Sequence, residues 1–202
     1  MMAATRNRRT DAEVVQAVRA AVLAELDEVG LGKLTMEGIA HRAGTAKTSL
    51  YRRWDSPQAV LLDALRGAFP QERPTPATDN LRQDLIDALT LMVRWLATPT
   101  AQAVAAILVE RSRYPELAEA IYTHVFDAKG GRFTSTVLHH YAAAGKLDPD
   151  LLTPVVTDIG EALVLKFAFD SDELPGQETL AAIVDQAILP AVGHPRPNSF
   201  RS

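Results

Sequence analysis

The chain has 202 residues, of which 47% are hydrophobic and 23% are charged, a composition typical of a globular protein that buries its own core. It contains no cysteine, which excludes disulfides, thiol catalysis and cysteine-based zinc sites and favours a reducing, cytoplasmic location. The formal net charge of −4 does not by itself indicate a nucleic-acid partner. The N-terminus lacks the apolar core of a signal peptide, and no apolar run reaches the roughly 20 residues of a membrane helix. We therefore expect a protein without a membrane partner.

The charge is distributed unevenly along the chain. Residues 1–53 contain nine Lys or Arg and six Asp or Glu, a net charge of +3. The remaining residues contain 12 and 19 respectively, a net charge of −7. Three of the N-terminal cations, Arg6, Arg8 and Arg9, precede the first predicted helix and form either a DNA-contacting arm or a solubilising tail. This split predicts that one end of the molecule attracts phosphate.

The first predicted helix runs from Thr10 to Val29. Thr10 and Glu13 have the spacing of a capping box, and Gly30 stands where a C-terminal cap belongs. Apolar residues recur at helical spacing between these two signals. We expect this helix to brace the segment that follows it.

The stretch from Thr35 to Trp54 has the pattern of a helix-turn-helix. Thr35 is a plausible N-cap for a first short helix, and Gly44 supplies the left-handed backbone that a steep turn needs. The predicted inward positions are apolar at helical spacing in both halves: Met36, Ile39, Ala40 and Ala43, then Ala46, Leu50 and Trp54. The two halves therefore predict two helices packed around one tight turn.

The outward side of the second helix carries groups that suit a DNA major groove. We expect Lys47, Thr48, Tyr51 and Arg52 to contact the groove, and residues 38–54 contain no Asp or Glu. Three further residues are predicted to meet the DNA backbone: Thr35, Arg42 and Arg53. The pattern also fits a helical hairpin with a basic face, as in a ligand-binding or protein-interaction module that does not bind DNA.

The residues of this stretch resemble a known family. Ile39-Ala40, Ala43-Gly44, Lys47 and the run Leu50 to Trp54 are similar to the DNA-binding signature of the TetR/AcrR transcriptional repressors. The resemblance implies a three-helix head joined by a linking helix to a helical body. Pro57 stands where the family often has a phosphate-contacting lysine, and Ala46 where it often has a capping serine, for which Thr45 is a possible substitute.

The rest of the chain is predicted to be helical as well, so the fold class is all-α. Ser56 and Pro57 mark a new helix start, and residues 70–76 form a proline-rich linker. Further helices are predicted at about 80–96, 101–111, 116–144 with a bend near Gly130, 151–169 and 177–189. We assign residues 10–55 to a DNA-binding domain and residues 56–192 to a ligand-binding and dimerisation domain.

The last two predicted helices are more apolar than a peripheral pair requires. They either pack within one subunit or form half of a two-fold interface, and the resemblance favours a homodimer that reads a palindromic operator. The family also implies a cavity for a small effector in the body. Candidate lining residues suggest a hydrophobic or aromatic molecule: Met92, Trp95, Leu96, Ile107, Tyr122, Phe126 and Phe133.

No catalytic, cofactor or metal motif is evident. The chain lacks a nucleophile elbow, a phosphate-binding glycine loop and a His-Glu-x-x-His pair. His139 and His140 are adjacent and point about 100° apart on a helix, which disfavours a shared metal ion. We therefore predict a transcriptional repressor, without cofactor or metal and without enzymatic activity, that binds an operator and leaves it when an effector binds.

Overall fold

The computed structural model describes residues 10–70, 79–129, 132–171 and 173–194. The three arginines of the predicted arm, most of the proline-rich linker and residues 195–202 lie outside these residues. Every regular element within the described residues is helical, which confirms the all-α prediction. The described helices form two compact units.

The first unit comprises the residues up to Ala68 together with Gln102–Val125. Its helices are α1 (Asp11–Val29), α2 (Met36–Ala43), α3 (Lys47–Tyr51), α4 (Pro57–Ala68), most of α6 (Pro99–Val109) and α7 (Pro115–Ile121). Helix α1 packs against both α2 and α4, and α4 also contacts α7. Because α4, α6 and α7 join the three head helices, this unit is larger than the predicted DNA-binding domain, whose boundary stays a prediction.

Local chemistry fixes the ends of these helices as the sequence predicts. The Thr10 hydroxyl accepts a hydrogen bond from the Glu13 backbone N–H, and the Glu13 carboxylate accepts one from Thr10 N–H at 2.6 Å, which completes the capping box. Gly30 ends α1 at φ 75°. Ser56 Oγ accepts from Ala59 N–H at 3.1 Å at the start of α4.

The second unit comprises Phe69–Ala101 and the residues from Phe126 onward. Its helices are α5 (Leu81–Leu96), α8 (Phe133–Ala143), α9 (Pro154–Ser171), α10 (Gln177–Ile183) and α11 (Leu189–Ala191). A π-helical turn, Val184–Ile188, joins the last two. Helix α5 packs against α8, α9 and α10, so it lies at the centre of the unit.

The helical pattern predicted over residues 116–144, with a bend near Gly130, is interrupted more extensively than a bend. Helix α7 gives way to a π-helical turn, Tyr122–Phe126, and then to a 3₁₀ turn, Asp127–Lys129, before α8 begins at Phe133. The two consecutive glycines at 130 and 131 each cost about 1 kcal/mol relative to alanine in a helix, which explains why an uninterrupted helix is unfavourable.

Two polar contacts join distant helices of the second unit. Arg82 on α5 makes a two-pronged ion pair with Asp185 of the last π-helical turn, at 2.6 and 2.8 Å. The buried Tyr141 hydroxyl on α8 donates to the buried Asp84 carboxylate on α5 at 2.6 Å. Burial and this hydrogen bond raise the pKa of Tyr141 above its usual range.

Replacing Tyr141 with Phe should destabilise the second unit. The substitution leaves the Asp84 carboxylate buried without the Tyr141 hydroxyl, a loss of about 1–3 kcal/mol, measurable by urea unfolding. Tyr51→Phe, at a half-exposed side chain, serves as the matched control and should change stability by less than about 0.5 kcal/mol. Equal midpoints for the two variants would contradict a stabilising role of the Tyr141–Asp84 hydrogen bond.

The same pair predicts a dependence on alkaline pH. The folded chain retains the Tyr141 proton that the unfolded chain releases near pH 10, so this contribution to stability is complete below about pH 10. The contribution of Tyr141 to stability should fall as the pH rises further and passes the raised pKa of Tyr141 in the folded state. The stability difference between wild type and Tyr141→Phe, measured at about pH 8 and about pH 11, should therefore shrink at the higher pH.

Candidate nucleic-acid interface

Helices α2 and α3 and the turn between them form the predicted helix-turn-helix. Thr35 caps α2, because its hydroxyl accepts a hydrogen bond from Gly38 N–H at 3.0 Å. Gly44 ends α2 in the left-handed region, at φ 63° and ψ 40°, as the sequence predicts. The four predicted inward residues of α2 are buried: Met36, Ile39, Ala40 and Ala43. The first helix is thus oriented by its apolar face.

Helix α3 has only five residues and is held by its buried side. Leu50 is fully buried and Trp54 is 8% exposed, as expected. Ala46, however, is exposed, so its predicted inward position is wrong. It precedes the first turn in an extended conformation, at φ −76° and ψ 138°, and no side chain caps the helix, so Thr45 does not replace a capping serine.

The outward side of α3 presents the predicted groove residues to solvent. Tyr51 is 50% exposed, and Thr48 and Arg52 are exposed beside it. Lys47 Nζ lies 5.8 Å from the centre of the Tyr51 ring, within the range of a cation–π contact. The structure therefore brings a cation, a hydroxyl, an aromatic ring and a second cation to one exposed face.

Carboxylates from outside residues 38–54 pair with the cations of this region. Lys47 Nζ is 2.6 Å from Glu37 Oε1, and Arg53 pairs with Asp11. The hydrogen bond with Glu37 raises the pKa of Lys47. A charge count within one segment of the sequence does not reveal these acids, because packing brings them to the segment from outside it.

Arg42 joins α2 to α1. Its guanidinium hydrogen-bonds to Glu28 and, at 2.9 Å, to Glu25, and these bonds raise the pKa of Arg42. Glu25 also packs closely on Gly38, where a Cβ would overlap its carboxylate. Arg42 therefore holds two helices together, and its contact with the DNA backbone stays a prediction.

The second unit brings three predicted ligand residues and one unpredicted residue together. The Trp95 ring lies 6.1 Å from Phe126 and 6.3 Å from Phe133, and Phe69 lies 5.0 Å from Trp95, all between ring centroids. We call Phe69, Trp95, Phe126 and Phe133 the aromatic cluster. Phe69 follows α4 directly and is 26 positions from Trp95, so sequence spacing gave no signal for this contact.

The other candidate ligand residues lie in different surroundings. Met92 is buried one turn before Trp95 on α5, and Leu96 is half-buried. Ile107 is fully buried in the first unit, where Tyr122 is 38% exposed. The ligand-binding role of all seven residues stays a prediction.

The second unit also contains an open polar groove of about 640 Å³. It lies along α8 and the start of α9 and is lined by Asp127, Arg132, Ser135, Thr136, His139, His140, Leu152, Pro154, Thr157 and Asp158. None of the predicted ligand residues lines it. No group of three or more metal-binding side chains occurs among the described residues.

Two family profiles match the chain. Residues 19–64 match the bacterial regulatory proteins of the tetR family, and residues 75–187 match the tetracyclin repressor-like C-terminal domain. The second match alone spans more than half of the chain. The chain belongs to the TetR family.

Curated relatives of this TetR-family chain are regulators rather than enzymes. An uncharacterised HTH-type transcriptional regulator of Mycobacterium tuberculosis is 29% identical over 173 residues, covering 86% of this chain and 85% of that protein. A DNA-binding transcriptional repressor TetR of Mycobacteroides abscessus is 28% identical over 152 residues, covering 73% and 78%. The chain is thus similar to DNA-binding regulators over most of its length.

Solved structures share the fold. The TetR family transcription regulator SCO0332 is 26% identical with a TM-score of 0.59 and covers 87% of this chain and 97% of its own. A TetR family regulator from Pseudomonas syringae has a TM-score of 0.60 at 22% identity, with coverage of 92% of this chain and 97% of its own.

Within the described residues, no single helix is both long and apolar enough to cross a membrane, although the bent pair of α5 and α6 passes that test when counted together.

This TetR-family chain is therefore a helix-turn-helix transcriptional regulator.

The ion pair between Glu37 and Lys47 allows a test of how a carboxylate in the head affects DNA binding. Glu37→Gln removes the carboxylate that pairs with Lys47. Because Lys47 is predicted to contact DNA, the substitution should tighten DNA binding about two- to fivefold at low salt. Glu178→Gln, at an exposed carboxylate of α10, is the matched control and should leave affinity unchanged. Fluorescence anisotropy with a labelled duplex measures both, and an unchanged or weaker affinity of Glu37→Gln would contradict this expectation.

Proposed function

We propose that the protein is a repressor that acts in the cytoplasm as a homodimer and binds a palindromic operator. A small apolar or aromatic effector releases it from DNA. The observation that most directly supports recognition of DNA is the exposed face of α3, where the side chains of Thr48, Tyr51 and Arg52 lie in solvent. A major groove admits a helix and offers hydrogen-bonding base edges to such side chains.

The proposed DNA contact of each residue follows from the exposure of its side chain and from its ion pairs. Lys47, Thr48, Tyr51 and Arg52 contact bases and phosphates in the groove, whereas Thr35 and Arg53 contact the backbone at its edges. Lys47 and Arg53 exchange their carboxylate partners for phosphates on binding. Arg42 contributes through its bridge to α1, which links α1 and α2, and through any N–H that remains available to phosphate.

The surface of α9 supports a homodimer. Val155 is 76% exposed and Phe169 is 86% exposed, and Ala162 lies between them on the same helical stripe. In the last predicted helix, by contrast, Ile183 of α10 and Val184 and Ile188 of the π-helical turn after it are buried within the second unit. The surplus apolar surface therefore lies on α9, and a second copy of the chain would cover it. Two heads then read half-sites roughly 34–36 Å apart or a multiple of that distance.

Effector action is proposed as a shift between two conformations of the dimer. In one of these conformations the heads do not match the operator, and the ligand binds that conformation more tightly. The fraction of protein released from DNA is limited by the ratio of the ligand's affinities for the two conformations. In the second unit the candidate site is the aromatic cluster with Met92 and Leu96 beside it. Ile107 and Tyr122 are retained as candidates in the first unit.

Operator binding can be tested with DNA flanking the coding region of the protein. We expect saturable binding that survives competitor duplex and weakens about a thousandfold from about 50 to about 200 mM salt if six or more phosphates are neutralised. Tyr51→Ala should reduce affinity by about tenfold or more, because the ring and hydroxyl leave the groove face. Val109→Ala, at an 84% exposed residue of the first unit, is the control. A flat salt response, or an unaffected Tyr51→Ala variant, would contradict this interface.

The dimer has its own test. Phe169→Asp places a charge on the apolar stripe of α9 and should convert a species of about twice 21.9 kDa into the monomer, as measured by light scattering. Val109→Asp changes an equally exposed apolar residue outside that stripe and should leave the mass unchanged. A wild type that is monomeric at micromolar concentration would refute the proposed interface.

A further inference from the structure

Trp95 carries a buried hydrogen-bond donor without a protein acceptor. Among the side chains of the described residues, its Nε1 is the one buried nitrogen or oxygen for which no hydrogen-bond partner is found. The whole residue is only 9% exposed. Most buried polar groups in folded proteins are hydrogen-bonded, and leaving a donor unpaired is unfavourable. The Trp95 N–H therefore requires a hydrogen-bond acceptor that the described residues do not provide.

The surroundings of Trp95 define what kind of acceptor fits. The three neighbouring rings of the aromatic cluster, Phe69, Phe126 and Phe133, have centroids within 5.0 to 6.3 Å of Trp95 and offer no charged group. A buried carboxylate or phosphate would need a cation beside it. A neutral oxygen, such as a ketone, ester or amide carbonyl, does not.

One member of the cluster is more exposed than the other phenylalanines. Phe69 and Phe133 are 4% and 5% exposed, whereas Phe126 is half-buried. Phe126 is the last residue of the π-helical turn, and such turns often occur at functional sites. Its ring lies 5.1 Å from Phe69 and 6.1 Å from Trp95, so the most exposed member of the cluster contacts both of these rings.

We propose that the aromatic cluster binds an uncharged, planar aromatic effector that bears a carbonyl oxygen, and that Trp95 Nε1–H donates a hydrogen bond to that oxygen. The inference rests on the proposed function, since it specifies the ligand class of the same effector site. Apolar burial against the rings supplies affinity, and the indole N–H discriminates carbonyl compounds from hydrocarbons of equal shape. The polar groove along α8 is not this site, because none of the four cluster residues lines it.

The test uses pairs of probes that differ by one carbonyl group: 1-indanone with indane, and 9-fluorenone with fluorene. Each is titrated into the full-length, ¹⁵N-labelled protein while the indole N–H signals are followed by NMR. The chain has two tryptophans, so Trp54 in the first unit is an internal control. We expect at least one ketone to move the Trp95 N–H signal downfield and to bind about three- to tenfold more tightly than its hydrocarbon partner. The Trp54 signal should not move.

Trp95→Phe removes the donor and keeps an aromatic ring. In this variant the preference for the ketone should fall to about one, while the hydrocarbon still binds. Equal affinities of ketone and hydrocarbon for the wild type, or no binding of either ketone, would overturn the proposal. A buried water that satisfies Nε1 gives the first of these outcomes.

The outcome is separable from that of the proposed function. The NMR titrations contain no DNA, and operator binding is measured on the same preparation by anisotropy. Intact operator binding without ketone preference overturns the ligand assignment alone. Ketone preference in a protein that does not bind DNA supports the ligand assignment and refutes the repressor.

Discussion

The burial of Leu50 is the constraint on which the DNA-binding surface depends. Helix α3 has five residues and no side-chain N-cap, so it is far shorter than the roughly 12–15 residues at which isolated helices become marginally stable. Leu50 is fully buried, and its carbonyl accepts from Arg53 and Trp54 N–H groups at 2.9 and 3.0 Å. The packing of the Leu50 side chain therefore determines the position of Tyr51 and its exposed neighbours.

The charges of the head are arranged around that packing. Arg42 links α2 to α1, while Lys47 and Arg53 pair with exposed carboxylates. Exposed ion pairs contribute little to stability and are readily exchanged. In the proposed DNA complex, each phosphate contact of Lys47 or Arg53 would replace an ion pair that already exists in the free chain. We propose that discrimination between DNA sequences depends more on Thr48, Tyr51 and Arg52.

Helix α5 buries two polar side chains with opposite outcomes. Near its start, Asp84 accepts a hydrogen bond from Tyr141 of α8 and so ties two helices together. One residue before its end, Trp95 carries a buried donor, Nε1, for which no hydrogen-bond partner is found among the described residues. The first pair is what a stable core requires. The second departs from that rule, and such departures are expected where a protein binds something other than itself.

The sequence alone determined the features that depend on neighbours three or four positions apart. The caps at Thr10, Thr35 and Ser56, the left-handed turn at Gly44 and the all-α class follow from local hydrogen bonding and helical periodicity. The outward placement of Tyr51 follows in the same way. The family's signature lies in this local pattern.

Only the tertiary structure decided which distant residues meet. Arg42 pairs with Glu25 and Phe69 packs on Trp95, although helical periodicity does not indicate that these residues meet. Phe169 is exposed and Ile183 is buried, although periodicity treats both as apolar positions. The exposed Ala46 shows the same limit, since its surroundings depend on where α3 begins. Helical spacing specifies a face, whereas the helix that covers that face is set by packing over the whole unit.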